Sequence, residues 1–138
     1  GHTRDFEEAF ARYLGKGKPA YVEKDRFTSN EAIDIIRGFG GIPVLAHPFT
    51  LNLSKQDLRL YIESLVRQGL KGLEIFYPDH TRALRKFYLE TAKDLDLIAT
   101  GGTDFHGGNG GETSLGDFGL DQKRYTLFLE TLEKGIQV

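Results

Sequence analysis

The chain has 138 residues, 39% of them hydrophobic, and a formal net charge of −2 with its histidines neutral. These values predict one globular domain and argue against a general nucleic-acid-binding patch. Because the sequence contains no cysteine, disulfides and thiolate metal sites are excluded, and any metal site must use histidines and carboxylates. No apolar run is long enough to cross a membrane and no signal peptide is visible, so we expect a cytoplasmic protein without membrane partners.

Two amphipathic helices are predicted before the first strand. The first covers residues 5–14, and its apolar face comprises Phe6, Ala9, Phe10 and Tyr13. The second begins at Thr28, which forms a capping-box pattern with Glu31 three residues later. Its predicted buried face comprises Ala32, Ile33, Ile35, Ile36 and Phe39.

Short apolar strands alternate with helices along the rest of the chain. Strands are predicted at 42–47, 70–77 and 95–102, and helices from Ser54 to about Gln68, from Asp79 to about Asp94 and from Asp121 to Gly135. Buried strands that are joined by helical crossovers predict a parallel sheet. The pattern is that of part of an α/β barrel or of a small open α/β sheet, since three strands are few for a closed barrel of about eight.

Polar residues at the predicted strand ends are the candidates for chemistry, because active sites of parallel α/β folds gather there. His47 ends the first strand, and Asp104 and His106 follow the third. Residues i and i+2 of an extended chain point the same way, so Asp104 and His106 are expected to face one side while Phe105 packs behind them. A carboxylate and two imidazoles that meet at one edge could hold a metal ion.

Each of these candidates also has a purely structural interpretation. His47 fits a buried neutral histidine bonded to a carbonyl group, and Asp104 fits a turn cap beside a solvated His106. Glu74 interrupts an apolar strand, which favours either a salt bridge with Arg or Lys or a supporting or substrate-side role.

The turn at 77–80, Tyr77-Pro78-Asp79-His80, lies on the expected rim of this site. One interpretation is contact with substrate, which makes His80 a candidate substrate-binding residue. The other is a turn in which Asp79 caps the next helix and His80 is an exposed residue of its first turn.

Over nearly its whole length the sequence resembles the PHP (polymerase and histidinol phosphatase) family of metal-dependent phosphoesterases. The matching stretches, in order, are AFARYLGKGKPAYV (9–22), EAIDIIRGFGGIPVLAHP (31–48), GLKGLEIFYPDHT (69–81) and LIATGGTDFHG (97–107). The resemblance implies that 28–138 is the C-terminal half of a distorted TIM-like (β/α)7 barrel, and that 1–27 is the end of a helical insertion. It also implies two or three divalent metals, with Mn, Zn or Fe expected and Mg as a further candidate.

The resemblance assigns roles to four residues. His47, in the family's Ala-His-Pro motif, is expected to ligate one metal, and Asp104 and His106, in its late Asp-x-His motif, the others. These three are the expected catalytic and metal-binding residues. Glu74 matches a family glutamate, and its expected role is supporting or substrate-binding.

The chain departs from the family pattern because members begin with a His-x-His motif, which is found nowhere in this sequence. It also has no initiator Met. We therefore expect a segment, inactive on its own, of a longer hydrolase that acts on phosphate esters such as nucleotides or RNA 5′ ends. The alternative is a non-catalytic binding or self-associating α/β half-barrel, since part of a barrel leaves strand edges unpaired.

Overall fold

A computed structural model describes residues 1–107 and 114–135 of the chain. Its elements in chain order are α1 (Phe6–Ala9, continued by a π-helical turn at Phe10–Leu14), α2 (Ser29–Gly38), β1 (Val44–Leu45), a 3₁₀ turn (Pro48–Leu51), α3 (Lys55–Gln68), β2 (Gly72–Phe76), α4 (Arg82–Asp94), β3 (Ile98–Gly101) and α5 (Gln122–Gly135). The strands form a three-stranded sheet in the order β1-β2-β3, and both pairings are parallel. The predicted parallel α/β sheet is confirmed.

Side-chain caps fix where the helices begin, because the first backbone N–H groups of a helix have no partner within it. The capping box of α2 is present: the Thr28 N–H donates to the Glu31 carboxylate at 2.7 Å, and the Glu31 N–H donates to the Thr28 hydroxyl at 3.3 Å. Ser54 caps α3, since its hydroxyl accepts a hydrogen bond from the Asp57 N–H at 3.2 Å, and Gly69 ends the helix in the left-handed conformation at φ 108°. These three predictions from local sequence are confirmed.

The start of α4 differs from the prediction. Thr81, not Asp79, is the N-cap, and its hydroxyl accepts a hydrogen bond from the Leu84 N–H at 3.2 Å. The reason is the turn at 77–80, in which the His80 N–H donates to the Tyr77 carbonyl at 3.1 Å. This turn leaves no helical backbone until after Thr81.

The core lies on the face of the sheet that α3 and α4 cover. Its buried residues come from α2, α3, β2 and α4 and from a position two residues before β2, and they are Ile33, Leu58, Ile62, Leu65, Leu70, Leu73, Ile75, Tyr88 and Ala92. Leu73 and Ile75 are fully buried, and Glu74 stands between them on β2. Because successive residues of a strand point to opposite faces, Glu74 points away from this core.

The apolar faces of the first two helices are less buried than predicted. Ile33 of α2 is buried where α2 packs on α3, but Ile35 and Ile36 are exposed and Phe39 is 90% exposed. In α1, Phe6 is 76% exposed and stacks on Phe10 with ring centroids 6.0 Å apart. Periodicity identified these helices, but it does not determine how much of a helix face another element covers.

The predicted outer strands are shorter in the structure. The prediction 42–47 is reduced to Val44–Leu45, because His47 turns into the left-handed region at φ 30°. The prediction 95–102 is reduced to Ile98–Gly101. No helix in the described part of the chain is long and apolar enough to cross a membrane.

Candidate active site

The predicted site residues lie at one edge of the sheet, where its parallel strands end. His47 follows β1, Tyr77 follows β2, and Asp104 and His106 follow β3. The rings of His47 and Tyr77 meet edge to face with centroids 6.1 Å apart, and the Tyr77 hydroxyl lies 3.4 Å from Asp104 Oδ2. His106 Nδ1 lies 3.7 Å from Asp104 Oδ1. Tyr77 therefore stands between His47 on one side and the Asp104–His106 pair on the other.

Two of these residues have a left-handed backbone, which is unfavourable for residues other than glycine by about 1–2 kcal/mol. His47 has φ 30° and Asp104 has φ 51°. His47 also precedes Pro48, and a residue before proline favours extended conformations. Among the described residues other than glycine, only Asn52 and Asp96 also have a positive φ. Such strain persists where the surroundings enforce it, and it is concentrated at functional sites.

The left-handed turn at Asp104 corrects one step of the sequence prediction. Asp104 and His106 are not successive same-face residues of an extended strand, because β3 has already ended at Gly101. They are brought together by the turn itself, in which His106 Nδ1 approaches the Asp104 carbonyl oxygen at 2.5 Å. In the tautomer in which Nδ1 is protonated and donates a hydrogen bond to this carbonyl, Nε2 has the free lone pair. Nε2 is then the nitrogen that could bind a metal ion.

Glu74 supports the strained backbone of His47. Its Oε2 accepts a hydrogen bond from the His47 N–H at 2.6 Å, across from β2 to the end of β1. It forms no salt bridge with a lysine or arginine among residues 1–107 and 114–133, whose side chains the structure describes. Of the two roles that the sequence left open, the structure shows a supporting contact to the site backbone.

His80 is buried behind Tyr77, contrary to the interpretation as an exposed residue of a helix. Its side chain is 1% exposed, and Nδ1 lies 2.9 Å from the Ile75 carbonyl oxygen. Its ring contacts those of Phe49, Tyr77 and Tyr88 at centroid distances of 5.4, 5.3 and 4.9 Å. Its Nε2 is buried without a hydrogen-bond partner in the described part of the protein.

The Tyr77 hydroxyl is held in its neutral form. Partial burial, and then the negative charge of Asp104, raises the pKa of Tyr77 above its ordinary value. At neutral pH it is therefore a hydrogen-bond donor to the carboxylate. The sequence presents Tyr77 only as part of a rim turn, and the signal that singles it out is its position directly after β2.

The donors at this edge fit a divalent metal in chemical type, since imidazole and carboxylate suit Mn, Zn and Fe. In the described ranges, 1–107 and 114–135, no group of three or more His, Asp or Glu side chains is arranged to hold a metal ion. The described residues therefore do not by themselves form a complete metal site. The glycine-rich stretch 107–111 follows His106 in the sequence, and apart from Gly107 it lies outside the described residues.

An apolar cavity of about 440 Å³ lies elsewhere, between the sheet and α5. It is lined by Gly40, Ile42, Val44, Ile98, Thr100, Phe128 and Leu132. None of the predicted site residues lines it, so this cavity and the candidate site are separate features.

Comparison with known proteins shows that the chain is similar to hydrolases. No protein-family model matches the chain. The 5′-3′ exoribonuclease of Haemophilus influenzae is 35% identical over 106 residues, which cover 77% of this chain and 39% of that protein. The 3′,5′-nucleoside bisphosphate phosphatase of Chromobacterium violaceum is 32% identical over 113 residues, covering 80% and 39%. The phosphoribosyl 1,2-cyclic phosphate 1,2-diphosphodiesterase of Eggerthella lenta is 40% identical over 83 residues, covering 60% and 30%.

Two solved structures share the fold. A Bifidobacterium adolescentis protein, assigned as a metal-dependent phosphoesterase, matches with a TM-score of 0.65 and 28% identity over 89% of this chain and 43% of its own. An amidohydrolase from Chromobacterium violaceum, solved with sulfate and without metal, matches with a TM-score of 0.69 and 26% identity over 98% and 46%. The chain spans about two fifths of the length of the first two relatives. It is therefore a homologue, over that part, of hydrolases that include an exoribonuclease, a phosphatase and a phosphodiesterase.

Proposed function

We propose that this chain supplies part of the active site of a metal-dependent phosphoesterase of the PHP family, and that the intact protein hydrolyses phosphate esters of nucleotides or RNA ends. In this proposal 28–138 forms the C-terminal half of a distorted TIM-like (β/α)7 barrel, and 1–27 the end of a helical insertion. The remaining metal ligands come from outside the described residues. Alone, the chain would turn over little or no phosphate ester.

The single observation that carries the proposal is the set of polar side chains at one edge of the parallel sheet. His47, Asp104 and His106 follow two different strands, and Tyr77 from the strand between them contacts both His47 and Asp104. The left-handed backbones of His47 and Asp104 add to this, because strained backbone is concentrated at functional sites.

In this proposal His47, Asp104 and His106 hold the metals, and the chain's other residues keep them in place. A bound divalent metal lowers the pKa of coordinated water and neutralises charge on a phosphate group. Glu74 fixes the backbone of His47 by the 2.6 Å hydrogen bond to its N–H. The Asp104 carbonyl orients the ring of His106 through Nδ1.

The substrate-side roles of Glu74 and His80 remain predictions. Glu74 is half-buried with one carboxylate oxygen bound to the His47 backbone, so only the other oxygen could face a substrate. With 1% of its surface exposed, His80 would act on a substrate through the Tyr77 ring that covers it. Nucleotide and RNA substrates are proposed because relatives are named as an exoribonuclease and a nucleoside bisphosphate phosphatase.

The test is hydrolysis by the intact protein with Mn²⁺, measured as phosphate released from a 3′,5′-nucleoside bisphosphate and as 5′-mononucleotides released from 5′-phosphorylated RNA. Replacing Asp104 and His106 together by Ala should lower kcat/KM by about 100-fold or more, since removal of ligands exceeds the 10–100-fold effect of changing groups that only support them. The matched control is Asp96→Ala, which removes another aspartate with a left-handed backbone, φ 52°, before β3. Activity that survives the double replacement refutes the proposal.

The alternative, a non-catalytic self-associating module, is supported by the outer strands of the sheet, β1 and β3. In the described part of the chain, β1 and β3 each pair with β2 alone. Unpaired edges favour pairing with another chain. Light scattering across a range of concentrations should then show a mass that rises with concentration, and a strictly monomeric protein rules self-association out.

A further inference from the structure

We infer that Tyr77 is a positioning residue of the proposed site, which orients the Asp104 carboxylate with its hydroxyl while its ring fixes the place of His47. This inference rests on the proposed function, since it concerns the arrangement of the same metal-binding residues. It adds a residue that neither the sequence prediction nor the names of the relatives assigns.

The Tyr77 hydroxyl faces one oxygen of the Asp104 carboxylate. It lies 3.4 Å from Asp104 Oδ2, beyond the roughly 2.5–3.0 Å of an ordinary O–H···O hydrogen bond, so it is a weak donor to that oxygen, while Asp104 Oδ1 faces His106 Nδ1 at 3.7 Å. The two carboxylate oxygens are thus distinguished by different neighbours. A donor on one oxygen sets the direction in which the other oxygen points, which is how groups behind a ligand orient it.

The segment that leads from β3 to Asp104 lies very close to the end of β2. A Cβ at Gly101 would lie 2.5 Å from both Cβ and the carbonyl oxygen of Phe76, so the end of β3 can lie this close to β2 only with glycine there. The next residue, Gly102, donates its N–H to the Phe76 carbonyl at 3.0 Å. These contacts hold the segment before Asp104 beside Tyr77, which follows Phe76 directly.

The Tyr77 ring is itself held in place by its neighbours. It packs against the rings of Phe49 and His80, with centroids 5.6 and 5.3 Å away. Arg85 of α4 stabilises the turn at 77–80. Its Nε donates to the His80 carbonyl at 2.9 Å, and one terminal nitrogen donates to the Tyr77 carbonyl at 3.5 Å. A side chain that is locked by its surroundings can position a neighbour without a large loss of entropy on binding.

The experiment is Tyr77→Phe in the intact protein, which keeps the ring and removes only the hydroxyl. The matched control is Tyr61→Phe, because the Tyr61 hydroxyl bonds to Ser29 at 3.0 Å, between α3 and α2 and away from the site. In the metal-free protein, the ¹³Cγ resonance of Asp104 should move in Tyr77→Phe and stay in place in Tyr61→Phe. With Mn²⁺, Tyr77→Phe should weaken binding by on the order of tenfold.

A thermodynamic cycle separates positioning from a general structural effect. If Tyr77 acts through Asp104, then in an Asp104→Asn background Tyr77→Phe should change Mn²⁺ affinity by less than about twofold. An Asp104 resonance that does not respond to Tyr77→Phe overturns the inference, and so do additive effects in the cycle. If neither His47→Ala nor His106→Ala changes the Mn²⁺ affinity, the proposed function is overturned instead. The ¹³Cγ resonance of Asp104 in the metal-free protein tests the role of Tyr77 independently of that result.

Discussion

The hydrogen bond from the His47 N–H to Glu74 gives the sharpest prediction about stability. Because this bond is 2.6 Å long, charge-assisted and half-buried, Glu74→Ala should remove about 1.5–3 kcal/mol. Loss of part of the glutamate side chain's methylene packing adds up to about 1 kcal/mol. The left-handed backbone of His47 would also lose the group that holds it. We expect Glu74→Ala to lower the free energy of unfolding by about 2–4 kcal/mol in total.

Two further variants isolate the cause. Glu74→Gln keeps an oxygen that can accept the His47 N–H and loses only the charge, so it should lower the free energy of unfolding by about 1 kcal/mol. The matched control is Glu63→Ala, which breaks a 3.2 Å salt bridge with Arg59 along α3. Pairs of this kind contribute about 0.2–1 kcal/mol.

The assay is urea unfolding followed by circular dichroism, with the free energy extrapolated to water. Of the three variants, Glu63→Ala should be the most stable, Glu74→Gln intermediate and Glu74→Ala the least stable. If Glu74→Ala were as stable as Glu63→Ala, the bond to His47 would contribute nothing measurable, and the supporting role of Glu74 would be wrong.

Two other predictions concern packing. Tyr88 is fully buried and its hydroxyl has no hydrogen-bond partner in the described protein, so Tyr88→Phe should raise the free energy of unfolding at pH 7 by about 1 kcal/mol. Burial raises the pKa of Tyr88, so the native state retains this proton at a pH where the unfolded state loses it, and stability should fall as pH rises above about 10. Urea unfolding at several alkaline pH values should show a shallower fall for Tyr88→Phe, and equal slopes would contradict this. Gly69→Ala should cost about 1–2 kcal/mol by thermal denaturation, because φ is 108° and the new Cβ would lie 2.7 Å from Arg37 Nη1. Gly38→Ala, which meets nothing within 4 Å in α2, should cost nothing, and equal effects of the two changes would contradict the account of the α3 C-cap.

The features that sequence predicts well are those that neighbouring residues decide. Thr28 and Glu31 bond to each other, and Ser54 caps α3 through a backbone group three residues away, so no tertiary contact is needed for either. The parallel sheet follows for a similar reason, because short buried strands that are joined by helices leave few other arrangements. The choice of Thr81 over Asp79 as the cap was decided by the turn at 77–80, which contains Asp79.

The features that sequence predicts poorly depend on contacts between distant segments. The left-handed backbone of His47 is stabilised by Glu74, 27 residues away, and the approach of Tyr77 to Asp104 spans the same separation. The exposure of Phe39 and Phe6 depends on which elements cover them. Strand ends still identified His47, Asp104 and His106 as candidates, because parallel strands bring their ends to one edge whatever the details of the loops.

The central claim is that His47 and His106, from two different strand ends, bind the same group of cations. The most direct measurement is a Zn²⁺ titration of the intact protein, followed by the ¹⁵N resonances of its histidine side chains. The resonances of His47 and His106 should change together and at the same metal-to-protein ratio, whereas that of the buried His80 should not report direct coordination. If either His47 or His106 stayed unchanged at saturation, the two histidines would not share a metal centre and the account would be wrong.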